Sequence, residues 1–113
     1  MIPIPTPEQV ATLGTAERFL NMDGWVYVDD RASSWWELNL KTPDVQLIMT
    51  IKPRPAYCDR GNFIAQVSGW RLFNEKPGIP LLDHQDAWPR YYFDFWNAVM
   101  ECQAWCRKRR YIK

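Results

Sequence analysis

Hydrophobic and polar residues alternate through the middle of the chain and recur every three or four positions towards both ends. Between Ser34 and Lys41, Trp36, Leu38 and Leu40 fall on one side of an extended chain. Trp35, Glu37, Asn39 and Lys41 fall on the other. Between Val45 and Lys52, Val45, Leu47, Met49 and Ile51 oppose Gln46, Ile48, Thr50 and Lys52. Asn62 to Leu72 begins with Phe63, Ala65 and Val67 inward and loses a clear phase after Gly69, while Gly24 to Asp29 adds a short aromatic segment. A period of two predicts strands with one buried face. The linkers at 29–33 and 42–44 are short and turn-like, which predicts antiparallel neighbours. The connection at 53–61, with Pro53, Pro55 and Gly61, is longer. A four-stranded antiparallel meander is the simplest topology.

Helical signals flank this meander. Thr6-Pro7-Glu8-Gln9 places a capping threonine, a proline suited to the first helical position and a glutamine that completes a capping box. The helix is expected to reach about Met22, with Gly24 beyond it as a C-terminal glycine and Gly14-Thr15 as a point of division. Residues 74–86 read as irregular because of Pro77-Gly78 and Pro80. A second, longer helix is expected from near Pro89 to about Arg110, capped by Asp83 or Asp86. It gathers Trp88, Tyr91, Tyr92, Phe95, Val99, Cys102 and Cys106 on one stripe, bordered by Trp96. Arg90, Asp94, Asn97, Glu101 and Lys108 lie opposite. The expected fold is therefore α+β: an N-terminal helix, the meander, and a long amphipathic C-terminal helix packed on the sheet. A chain of 113 residues has room for one such domain, spanning 1–113.

Composition sharpens this picture. Apolar residues make up 47% of the chain, with 7 Trp, 5 Tyr and 5 Phe, which argues against disorder. No apolar run has the ~18 residues of a membrane span, and the start lacks the basic and long apolar regions of a secretory signal. A cytoplasmic location with no membrane partner is the expectation. Charge is unevenly placed. Residues 1–106 carry nine basic against 13 acidic side chains, whereas the tail at 107–113 carries five basic side chains and no acid. Such a tail has two readings, as a nucleic-acid contact or as cations that complement the negative end of a helix. The second is preferred because the tail continues the helical pattern.

Candidate chemistry is thin. Cys102 and Cys106 lie within the apolar stripe, where a thiol acts as a small hydrophobe, and neither Cys58 nor His84 gives a zinc-knuckle spacing with them. Neither a metal nor an organic cofactor is expected. His84 in Asp83-His84-Gln85-Asp86 has no companion nucleophile. The five glycines are scattered, so no phosphate loop is present, and Asp29-Asp30 is read as turn chemistry. The expectation is a protein without enzymatic activity.

The aromatic excess is more telling. Trp35 and Ile48 are expected on the outer sheet face, away from the C-terminal helix, joined by Ile64 and Trp70 and by either Trp25 and Tyr27 or Val26 and Val28. An outer face this apolar needs a cover, supplied either from within the chain or by a partner. Trp25, Tyr27, Trp35, Ile48 and Trp70 are accordingly the candidate residues for a protein partner or a homodimer. Compact proteins of this character occur among phage and mobile-element accessory proteins that inhibit host complexes, anti-CRISPRs included, although no motif here identifies one. The order helix, meander, helix resembles in outline the double-stranded-RNA-binding domain. That family carries a basic cluster at the start of its last helix, where this chain has Trp88-Pro89-Arg90-Tyr91-Tyr92. The alternative function is therefore nucleic-acid binding through Arg107, Lys108, Arg109, Arg110 and Lys113 together with exposed sheet aromatics.

Overall fold

A computed structural model of the chain describes residues 4–10, 24–30, 33–54, 60–74, 76–80 and 88–111. Its centre is an antiparallel sheet, built from β1 (Trp25–Asp29), β2 (Ser34–Lys41), β3 (Val45–Pro53) and β4 (Phe63–Phe73) in sequential order. These are the four expected strands, and their alternation is retained. Trp36 faces Ile51, Leu38 faces Met49, and Ile51 faces Ala65 across the ladders. All five are buried on one side of the sheet. Short turns connect the first three strands. Asp30 and Ser33 exchange backbone hydrogen bonds of 2.9 and 3.2 Å, and Thr42 Oγ1 accepts from the Val45 amide at 3.1 Å.

The sheet has six strands rather than four. Residues Lys76–Pro80, expected to be irregular, form β5 against the far end of β4. Proline is admissible there because β5 is an edge strand with one side free of ladder bonds. Asn74, at a φ of 52°, makes the left-handed turn that the β4–β5 hairpin needs. Residues Arg90–Tyr92, expected on the long helix, form β6 against the start of β4. The helix begins later, as α1 (Phe95–Lys108), with Asp94 as its cap in place of Asp83 or Asp86. The Asp94 side chain accepts from the Asn97 amide at 3.1 Å, and its extended backbone separates strand from helix. Two tyrosines and a phenylalanine before the cap suit a pleated strand at least as well as a helix.

The core lies between the inner sheet face and α1. Leu47, Met49 and Ile51 of the central strand meet Val99, Cys102 and Cys106 of the helix, all fully enclosed. At the N terminus the expected capping box is present. Gln9 Oε1 accepts from the Thr6 amide at 2.9 Å, and the Gln9 amide donates to Thr6 Oγ1 at 3.4 Å. Ile4 and Val10 join the core, so this first turn sits on the inner side of the sheet. The rest of the expected first helix lies outside the described residues. Among the described residues, no helix is long and apolar enough to cross a membrane.

The first residues of the basic tail close α1. Tyr111 donates its amide to the Cys106 carbonyl at 2.9 Å and Arg110 donates to that of Arg107 at 3.0 Å, the paired bonds of a Schellman cap. The Tyr111 ring, 5.8 Å from that of Trp105, supplies the accompanying apolar contact. Arg110 occupies the left-handed position at a φ of 63°, where a Cβ is unfavourable. Arg110→Gly is therefore expected to raise stability by up to about 1 kcal/mol, read as a higher urea midpoint. A lower midpoint would show that the cation itself stabilises the helix end.

Candidate functional site

The outer face of the sheet carries the most distinctive arrangement of side chains. Its residues follow from the register. Val28 lies opposite Trp35, Lys52 opposite Ile64, and Ile64 opposite Tyr91. Trp35 and Lys52 meet across the β2–β3 ladder, with the Lys52 ammonium 4.7 Å from the Trp35 ring centre. One lateral row thus runs Val28, Trp35, Lys52, Ile64, Tyr91 over five strands. At its end the guanidinium carbons of Arg54 and Arg60 lie 4.4 and 5.8 Å from the Tyr91 ring centre.

Local backbone bonds hold this end together. The chain leaves β3 after Pro53, and the Arg54 amide donates to the Asn62 carbonyl at 2.7 Å. Asn62 in turn donates its amide to Tyr92 at 2.9 Å and its side-chain amide to the Phe93 carbonyl at 3.0 Å. Arg54 and Arg60 are thereby brought to a tyrosine that lies some thirty positions further on in sequence. Trp35 Nε1 in the row and Arg54 Nη1 beside it are buried with no hydrogen-bond partner among the described residues.

The candidate partner-binding residues divide between the two faces. Trp35, Ile48 and Trp70 lie on the outer face, half-buried. Trp25 and Tyr27 lie on the inner face. Trp25 is 7% exposed opposite Leu38, and the Tyr27 ring packs 5.3 Å from Trp36. Val26 and Val28 are the outward pair of β1, with Val26 60% exposed. Tyr91, Arg54 and Arg60 were not among the sequence candidates. Tyr91 fitted a helical stripe equally well, and only the pairing of β6 with β4 brings the arginines to it.

The basic tail lies elsewhere. Arg107 and Lys108 close the last turn of α1, Arg109 and Arg110 form its cap, and Lys113 lies outside the described residues. Arg110 and Tyr111 border a shallow cleft with Leu40, Thr42, Asp44 and Val45, at the β2–β3 turn. From Val45 to Lys52 the strand rises about 23 Å, at ~3.3 Å per residue. The tail and the aromatic row thus sit at opposite ends of the sheet, with the tail belonging to the helix on the inner side.

Cys102 and Cys106 occupy the apolar stripe of α1, as expected, and are buried as free thiols. Burial pushes the Cys102 thiol up to about 12 and that of Cys106 up to about 11, so both stay protonated near neutrality. Alkylation by iodoacetamide at pH 8 is expected only after denaturation, measured as mass added to the tryptic peptide. Modification of the native protein at the rate of an exposed cysteine would contradict the packing. Cys58, Asp83, His84 and Asp86 lie outside the described residues. Among the described residues, no three His, Cys, Asp or Glu side chains gather as metal ligands would. No family model matches the chain, and no curated protein or solved structure matches it significantly.

Proposed function

We propose that the protein is a non-enzymatic binding module whose outer sheet face seats another protein. The observation that carries this reading is the row Trp35, Lys52, Ile64, Tyr91, on the face opposite the one that α1 and the N-terminal turn occupy. Aromatic residues and arginine are the side chains that contribute most to binding at protein interfaces. Action by occlusion or bridging, as inhibitors of host complexes act, is compatible with a small rigid sheet. The nucleic-acid alternative draws on the same face, but its second element, the basic tail, is about 20 Å away on the other side of the sheet.

The test is a Trp35→Ala, Trp70→Ala double variant compared with the wild type. It is expected to remain folded by circular dichroism. Native co-purification is expected to lose a retained protein, or light scattering to show loss of self-association. A folded variant that keeps the same partner would overturn the reading. So would a retained partner that proves to be nucleic acid, identified by nuclease treatment.

A further inference from the structure

Resting on this reading, we infer that the partner presents an extended acidic segment, and that Lys52, Arg54 and Arg60 receive its carboxylates along the aromatic row. The first argument is what the rings are used for. Lys52 covers Trp35, and Arg54 and Arg60 cover Tyr91, so the rings serve as platforms that hold cations in place. The planar guanidinium presents an N–H fork whose geometry matches a carboxylate with two hydrogen bonds. Three cations share this strip, and the acid closest along β2 is Glu37, which faces Thr50 in the adjoining row. Asp29, at the end of β1, accepts from Ser34 Oγ at 2.9 Å.

Size and charge choose between anions. Five strands at ~4.8 Å spacing make a row about 19 Å long, which matches roughly six residues of extended chain at ~3.3 Å each. Ile64 lies between Lys52 and the arginine pair and Val28 ends the row, so the complementary segment places apolar side chains beside and between its acidic ones. A nucleic acid fits less well. Stacked bases need open ring faces, and here the cations would have to leave them. The net charge of −4 over residues 1–106 also opposes a long polyanion.

An amide NMR titration of the full chain tests this, using a synthetic peptide of alternating Glu and Leu. Shifts are expected at Trp35, Lys52, Arg54, Arg60, Ile64 and Tyr91, with affinity that falls on raising salt. Arg54→Gln with Arg60→Gln should weaken peptide binding about tenfold or more while leaving the fold intact. In the same variant, a naturally retained partner should also be lost. If that partner is kept here but lost from the Trp35→Ala, Trp70→Ala variant, the acidic-segment inference fails and the binding-face reading stands. If neither variant loses it, both fail. Peptide shifts centred on Arg107 to Arg110, no shifts at all, or tighter binding of oligothymidine of equal charge would each overturn the inference.

Discussion

Replacing Gly61 by Ala is expected to destabilise the fold by roughly 3 kcal/mol or more and to detach β6 from β4. Gly61 adopts a φ of 148°, a conformation that side chains rarely allow. A Cβ placed there would lie 2.5 Å from the Tyr92 carbonyl oxygen, 2.7 Å from its carbon and 2.8 Å from its nitrogen. These are backbone atoms held by the Asn62–Tyr92 hydrogen bond, so neither partner has a flexible end that can yield. The chain must then open where β4 and β6 meet, and Tyr91 loses the position that Arg54 and Arg60 share. Against a total stability of ~5–15 kcal/mol for a domain, the loss is large. Urea denaturation measures it, and faster amide exchange at Tyr91 and Tyr92 locates it. A variant with wild-type stability and exchange would show that the close approach is not required.

The same junction shows where sequence reading reaches its limit. The inner face was legible because Trp36 and Leu38, Leu47 and Met49, and Phe63 and Ala65 repeat a period of two over strands long enough to establish it. The stripe of Phe95, Val99, Cys102 and Cys106 did the same for α1. The β1 segment, Trp-Val-Tyr-Val, is apolar at four consecutive positions and has no internal phase. Only its pairing with β2, Trp25 against Leu38, sends the tryptophan inward and Val26 outward. A strand of three residues such as β6 offers too few positions for a period, and its tyrosines also satisfied helical spacing. The candidate site inherits this difficulty. Half of it, Trp35 and the outer face of β3, followed from alternation. The other half depends on a contact between residues 60–64 and 90–92 that no local pattern encodes.

Two adjacent tryptophans should respond in opposite ways. Trp36 is 5% exposed, its ring centre lies 5.3 Å from that of Tyr27 and 6.4 Å from that of Phe95, and its Nε1 donates to the Pro5 carbonyl at 2.9 Å. Trp36→Ala is expected to lower stability by about 3–5 kcal/mol, the range for removing a large aromatic from a core. Trp36→Phe keeps most of the ring and loses the hydrogen bond to the N-terminal segment, so a loss of about 1 kcal/mol is expected. Trp35 points to the other face, where its main described contact is the Lys52 ammonium. Trp35 is half-buried, and Trp35→Ala gives up that contact, about 0.5–1 kcal/mol, while removing a buried indole nitrogen that has no partner among the described residues. Its stability should stay within about 1 kcal/mol of wild type while partner binding is lost. Urea titration of the three variants, read by circular dichroism, separates core from interface. Comparable losses for Trp35→Ala and Trp36→Ala would place both rings in the core and remove Trp35 from the binding face.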